Sequence, residues 1–548
     1  MKSVHVLLCL LISSFCMGQA GNYRSLDAKQ PIAFYGDHLV FDGKTVNLGP
    51  NSFFIDGNLP DSFTAKYRYV FNSVQKAVAQ LTNGTEAEPM KLYLAPYVYW
   101  IDNPDDTATR IPTEGSTPYG MMITCEWLQF YGLTDNPYNV VMACNRGQTI
   151  GAKGNFTMFR FTGQGTAAEN VTFGNYCNVD LVFPLKPSLN RSKRASAIVQ
   201  AQLIHCNGDK IVARNSNFIS RLNLCPFVGG KRVLFDRCHF ESTDDALCGT
   251  AVYLHSTFDF YSSKPFYRTI GTGPVFLDCE IRSMAGREQY FTKAGGQIAV
   301  IDSRFTSRQN QYWGWMEVVP PSAKNYQYNV RLNGSNLYIS KANKTSTVDL
   351  AWKKALQVYK FIHNGKTIYN TYNLLSGDDD WDPMMIKSTV LQWEKEHQQS
   401  LRNLPVQLII NANTTAIETG KNEAILTAAL FRFGNYPAAM EQISWQVAAA
   451  DKAYVQLKPN KDGTGCTVIP VNKLDTATQV LVTASTKSGL EASLLLVVSP
   501  QILVAPAFVS PPSIVLETTG VLQASYRLNT NYADQCDIKW FRCTDAEG

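Results

Sequence analysis

The chain has 548 residues, of which 17% are charged and 45% hydrophobic, and a formal net charge of +5. This composition excludes a disordered or fibrous chain, and the length allows about three globular domains. So small a positive excess argues against a nucleic-acid binder and is compatible with an acidic ligand.

Residues 1–20, MKSVHVLLCLLISSFCMGQA, run from an early lysine through an apolar core to small residues. They read as a signal peptide cleaved near Ala20, so the mature protein is expected to be exported: periplasmic, cell-surface or secreted. Lipidation at Cys16 is the alternative, but Ser14-Phe15 fit a lipobox poorly. No later run reaches the roughly 18 apolar residues of a membrane span. Of the 13 cysteines, Cys9 and Cys16 fall in this leader. The others follow no zinc-site spacing, and no metal or other cofactor is expected. Cys177, Cys206, Cys238 and Cys279 lie in strand-like runs and read as buried free thiols.

Apolar residues at helical spacing in FNSVQKAVAQL, 71–81, predict a helix that caps the open end of a solenoid. KLYLAPYVYWI, 91–101, reads as a first strand. From about residue 150 a short phrase recurs, an apolar run, a polar position and a terminal hydrophobe. It ends in turn at Phe173, Phe218, Phe240, Phe258, Ile281 and Phe305, with an irregular period mostly close to twenty residues. One short strand per repeat predicts a mainly β fold, a right-handed single-stranded parallel β-helix over 21–345. Residues 346–403 read as a mixed segment packed on the outside of the last coils, with ALQVYKFIH helical and Asp378-Asp379-Asp380 a solvated turn rather than a calcium loop. From 404 to 499 the alternation of VQLIINA, ISWQVAA, QVLVTAST and similar runs predicts an immunoglobulin-like β-sandwich. After a Pro-rich linker, 500–548 reads as the start of a second such module, with too few strands to close.

Residues 67–320 carry a resemblance to the pectin methylesterases. FNSVQKAV is similar to that family's opening helix, LYLAPYVY to its early strand, and GLTDNPYNVVM with FRFTGQGTAAENVTFGN to its next coils. QAQLIHCNGD, 200–209, lines up without gaps with the family phrase QAVALRVSGD. The resemblance places Gln200 on the glutamine that donates a hydrogen bond to the oxyanion, a contact that counts because charge develops there in the transition state. A side-chain ladder on a β-helix face would also account for Gln200. CHFESTDDALCG, 238–249, resembles the strand ending in DFIFG and places Asp245 on the nucleophile, which attacks the ester carbonyl to form an acyl-enzyme. A turn aspartate capping backbone amides is the plainer account. In a regular strand Asp244 would point to the opposite face.

The resemblance fails at SNFISRLNLCPF, 216–227. Leu222 falls on a second oxyanion glutamine and Asn223 on the acid/base aspartate, and an asparagine has no proton to transfer. His205, Asp244 and His239 are the titratable groups nearest in sequence phase. YFTKAGGQIAVIDSRF, 290–305, is similar to the coil beginning YLGRPW. Lys293 then stands for the arginine that orients the nucleophile, with charge but no planar fork. Gly295 stands for the tryptophan of the sugar cleft, and Trp313 or Trp315 could supply that stacking face unless both are core residues. The basic turn Arg191 to Arg194 could reach uronate carboxylates. Three functions follow: an esterase acting on an acidic, pectin-like plant polysaccharide, a glycan-binding relative that has lost the chemistry, or a β-helix glycoside hydrolase in which Asp244 and Asp245 have partners across a cleft.

Overall fold

The computed structural model describes residues 23–112, 117–308, 310–500, 506–529 and 536–540. The leader at 1–20, with Cys9 and Cys16, lies outside them.

Short strands stack coil on coil into three sheets. The first sheet has twelve parallel strands, from Val70–Phe71, Ser52–Ile55 and Met90–Leu94 to Thr347–Asp349. The second has ten, from Tyr97–Trp100 to Ser335–Asn336, all parallel except the last pairing. The third comprises Tyr119–Ile123, Phe156–Phe161 and Ala201–Cys206, and resumes later as Glu288–Tyr290 paired with Tyr312–Gly314. This is a parallel β-helix, and its last coil extends to Asp349, four residues beyond the expected boundary. From Ile211 onward, strands of the first sheet begin 18 to 26 residues apart. Before it they begin 38 to 44 apart, because the early coils carry insertions.

The terminal hydrophobes of the repeated phrase form one wall of the core. Phe173, Phe218, Phe240, Phe258, Ile281 and Phe305 pair in successive register on the second sheet. Phe218, Phe240 and Phe258 stack nearly parallel, with centroids 5.2 and 4.8 Å apart. Phe235, Tyr253 and Phe276 form a second stack on the first sheet, at 5.1 and 4.9 Å. Each such pair contributes about 0.5–1.5 kcal/mol beyond its burial. From Asn170 onward each coil turns between the two sheets through one left-handed residue, among them Asn215, Asp278, Asp302 and Asn329. Asn and Asp tolerate that conformation best after glycine, and Asn215 donates to Asn170 Oδ1 one coil away at 2.7 Å. Nine cysteines, Cys125 to Cys466, are buried free thiols.

Several local expectations are corrected. The capping helix is only Val74–Val78, started by Ser73, whose Oγ accepts from the Lys76 N–H at 3.2 Å. Residues 91–101 are not one first strand. Ser52–Ile55 precedes them in the sheet, and the run splits into Met90–Leu94 and Tyr97–Trp100 of different sheets, because Pro96 has no N–H for a continued ladder. ALQVYKFIH is not helical. It forms a 3₁₀ turn at Lys354–Val358 and then Lys360–His363, the first strand of a hairpin with Lys366–Tyr369. The turn is Asn364-Gly365, both left-handed, which is the hairpin signal in the sequence. The Asp378–Asp380 turn is solvated as expected, all three residues being exposed, but its carboxylates are also ion-paired. Asp379 bonds Arg232 at 2.6 Å and Lys210 at 3.1 Å, Asp380 bonds Lys387 at 2.9 Å, and Asp378 bonds Arg432.

Residues Gln407 to Ser499 form two facing sheets, one built on Ala424–Arg432 and Gly465–Pro470, the other on Thr478–Thr486 and Glu491–Ser499. Leu426, Val468, Val482 and Leu496 fill the space between them, and this core is continuous with the outer face of the first sheet through Val252, Leu254 and Val275. Beyond residue 505 the described residues form two small antiparallel ladders whose Ile514, Val515 and Leu516 are exposed.

Candidate functional site

The third sheet is interrupted after Ala201–Cys206. Leu203 and Cys206 N–H still bond Leu224 and Val228 carbonyls on the next coil at 2.8 Å, and Cys225 N–H bonds Ala246 on the coil after that at 2.5 Å. The chain does not run as a regular strand there, since Cys225, Phe227 and Asp245 all have φ between 46 and 56°. Pro226 and Pro265 supply no backbone donor. Residues held this way cost about 1–3 kcal/mol each and persist because their surroundings fix them.

At this interruption stand Asp244 and Asp245. The left-handed backbone at Asp245 removes the strand alternation, so the two carboxylates do not face opposite ways, as a regular strand would require. Both reach one ammonium: Lys293 Nζ lies 2.9 Å from Asp245 Oδ2 and 3.3 Å from Asp244 Oδ2. Lys293 is anchored two coils further on, its N–H bonded to the Phe266 carbonyl at 3.1 Å, and its long stem spans the coil between. Burial pulls its ammonium down, but the hydrogen bonds and charges of Asp245 and Asp244 outweigh this and hold it above the ordinary lysine value. Asp244 also accepts from the Ser262 hydroxyl and from the Lys264 N–H at 3.2 Å. Asp245 is the freer of the two. Its Oδ1 is enclosed and without a partner among the described residues, and Oδ2 is held by Lys293 alone.

Asp245 opens into a cavity of about 500 Å³, lined also by Lys231, Tyr267, Arg268, Asn435 and Tyr436. Lys231 and Arg268 are exposed, and among the described residues neither is in a salt bridge. Tyr267 is 60% exposed. The cavity therefore presents one carboxylate, an aromatic face and a cationic rim.

Of the residues singled out in the sequence, Asp245, Asp244 and Lys293 converge. Asn223 is half-buried on the coil before Asp245, in a register fixed by the Cys225 to Ala246 hydrogen bond. Leu222 is wholly buried, against Ala201 and Cys177. Gln200 is exposed just ahead of its strand, and its carbonyl accepts from Gln148 N–H at 2.8 Å. Gln202 is the better-held amide: its Oε1 accepts from Thr157 Oγ1 at 3.1 Å, and its side chain hydrogen-bonds the Cys225 thiol. Burial pushes that thiol up to about 12.

Trp313 and Trp315 are not a sugar platform. They are 1% and 0% exposed in the core, Trp313 stacks on Phe305 at 4.3 Å, and Trp315 donates to Thr347 Oγ1 at 2.8 Å. His205 is half-buried, with burial first and then the Arg160 charge holding its imidazole below the ordinary value. It bridges Val228 and does not line the cavity. His239 belongs to the second sheet, bonded to Thr257 at 2.7 Å, and is not part of the site. In the basic turn, Arg191 is engaged by Asp105 and Trp100, and Arg194 is half-buried beside Arg146. Tyr267 and Arg268 were missed, because nothing in RTIGTGP marks a cavity wall. Among the described residues no cluster of three or more His, Cys, Asp or Glu is placed to hold a metal ion, and no helix is long and apolar enough to cross a membrane.

No protein-family model and no curated protein matches the sequence. Among solved structures, the chain is similar to a pectin methylesterase variant in complex with a hexasaccharide, at 14% identity over 53% of this chain and 93% of that one, TM-score 0.36. It is similar to the rice weevil pectin methylesterase at 12% identity over 53% and 91%, TM-score 0.35. It is also similar to a pectin methylesterase from Yersinia enterocolitica at 14% identity over 49% and 92%, TM-score 0.34.

Proposed function

We propose that the chain is a carbohydrate esterase of the pectin methylesterase kind, which de-esterifies an acidic, pectin-like polysaccharide through Asp245. The observation that carries this reading is the ion pair between Lys293 and Asp245 at the cavity wall. The pair joins two residues 48 apart, which the motif resemblance had assigned to the nucleophile and its orienting cation.

In this reading the Asp245 carboxylate attacks the ester carbonyl. A C–O bond forms, the carbonyl electrons move onto oxygen, and the tetrahedral oxyanion collapses by expelling methoxide. The products of this half-reaction are a mixed anhydride on Asp245 and, once methoxide takes up a proton, methanol. Water then adds to the anhydride and returns the free uronate and the Asp245 carboxylate. Lys293 fixes one oxygen of the nucleophile and lowers the cost of its charge. On this reading the oxyanion donors are the amides of Gln202 and Asn223 on the two preceding coils, which the hydrogen bonds of Leu203 to Leu224 and Cys225 to Ala246 hold in register with Asp245.

Asn223 cannot protonate methoxide, so the proton comes from water in the cavity. Acid assistance contributes roughly 10²–10⁴-fold, and the enzyme works without that gain. A glycoside hydrolase needs a second carboxyl across a cleft, and among the described residues lining the cavity Asp245 is the one carboxylate. The test is methanol release from methylated pectin. Release abolished by Asp245→Asn is the expected result; binding of pectin without turnover in the parent chain would replace the esterase with a glycan-binding protein.

A further inference from the structure

One wall of the cavity at Asp245 comes from outside the β-helix. The sandwich strand Ala424–Arg432 turns through Gly434 and Asn435, both left-handed, into Tyr436–Pro437. This turn is fastened to the coil at 269–273. Gly434 N–H donates to Thr272 Oγ1 and Thr272 N–H donates to Asn435 Oδ1, both at 3.1 Å. A side chain at Gly271 would have no room, since its first carbon would lie 2.0 Å from Asn435 Oδ1. Gln407 and Gln297 add bonds across the same junction, to the Gly271 carbonyl at 2.7 Å and the Val406 carbonyl at 2.8 Å. Tyr436 packs between Arg232 and Arg432, 5.8 and 5.4 Å from its ring. Arg232 is itself buried and bonded to Asp209 and Asp379. The wall is rigidly placed.

The β-helix part of the lining comes from the same corner of three consecutive coils, residues 228–232, 247–250 and 267–272. The cavity therefore spans three coils at this corner, with Asp245 on one side and the sandwich turn on the other. Two cations without a salt-bridge partner among the described residues, Lys231 and Arg268, stand on its rim beside the exposed faces of Tyr267 and Ile270. At about 500 Å³ it falls in the range of about 300–1,000 Å³ that holds small ligands. An anionic sugar matches this set: carboxylate for the two cations, ring face for the tyrosine, and hydroxyls for Asn435 and the turn backbone.

We propose that this cavity is a uronate-binding subsite shared between the β-helix and the sandwich, in which Lys231 and Arg268 hold the carboxylate and the turn at 434–436 limits the length of the sugar unit lying across the coils. The inference deepens the esterase reading by assigning the neighbour of the ester-bearing sugar, but the binding it describes does not require turnover.

The test is calorimetric titration of the full chain with trigalacturonate, with neutral galactotriose as the control. Replacing both cations, Lys231→Gln with Arg268→Gln, is expected to weaken trigalacturonate about tenfold or more and leave galactotriose unchanged. Tyr436→Ala, which leaves both cations in place, is expected to weaken trigalacturonate about fivefold. Should that variant fail to melt cooperatively, Asn435→Gly keeps the left-handed turn and the Gly434 bond to Thr272 while removing the side-chain wall and its bond from the Thr272 N–H. Affinities within twofold of the parent in every folded variant would overturn the proposal, as would a parent chain that releases methanol from pectin yet does not bind trigalacturonate. A parent that binds with this dependence but releases no methanol keeps the subsite and removes the esterase.

Discussion

The second and third sheets are cut from the same coils and behave in opposite ways. On the second sheet ten strands pair without interruption, and Phe218, Phe240 and Phe258 sit in register on one another. On the third the ladder breaks after Cys206 and returns only at Glu288, leaving isolated bridges such as His205 with Val228 and Phe266 with Thr292. Asp245, Lys293 and the cavity all lie along that break. A regular ladder satisfies its backbone and alternates its side chains between core and solvent; a ladder broken by prolines and left-handed residues can bring two successive carboxylates to one ammonium. The regular sheet thus holds the irregular one in place, as expected when strain is confined to a site.

The largest effect that separates the two regions is on turnover. Asp245→Asn is expected to lower methanol release by at least about 10³-fold while the melting temperature stays within a few degrees. The reverse holds for Phe240→Ala, which should cost about 3–5 kcal/mol of stability, read as a fall in denaturation midpoint. Its residual folded fraction should keep its turnover per molecule. A third substitution sharpens the comparison by gain rather than loss. On the proposed reading Asn223→Asp places an acid one coil from Asp245 and should raise kcat about 10²-fold; an unchanged kcat would remove Asn223 from the proposed site.

The smallest effect is the pH dependence of the Lys293 contact. The folded-state value of this group is raised, so its stabilisation is fully present below the unfolded value and is lost as pH rises through the folded one. The unfolded value is about 10.4. Side-chain exposure of 34% limits the contribution to less than about 1 kcal/mol. The stability difference between the parent and Lys293→Met should therefore be constant near neutrality and shrink above about pH 10.4, measured as urea midpoints.

Much of the fold was legible because parallel coils place residues of equal phase on one wall. Every terminal hydrophobe of the repeated phrase, from Phe173 to Phe305, falls in that wall, and the phrase could be followed without knowing how the coils turn. The early coils were harder to count, since their insertions double the period. The hairpin at Lys360–Tyr369 was marked by Asn364-Gly365 and overlooked in favour of an apolar run that fits either state. Asp245 and Lys293 were legible as a pair only through the motif resemblance, because nothing local links residues two coils apart.

The sequence by itself determined the repeat, the aromatic ladder, the thiols that pack as small hydrophobes and the residue types at the centre of the site. Each of these depends on side-chain identity at a fixed phase, which the one-dimensional pattern records. Only the tertiary structure decided that Trp313 and Trp315 face inward, that Asp244 and Asp245 share one ammonium, that the Asp378–Asp380 turn is bound by Arg232, Lys387 and Arg432, and that the sandwich closes the cavity. Those outcomes depend on backbone direction at single left-handed residues and on contacts between segments distant in the chain, 48 residues for Lys293 with Asp245, 147 for Arg232 with Asp379 and 163 for Thr272 with Asn435, which the local pattern does not record.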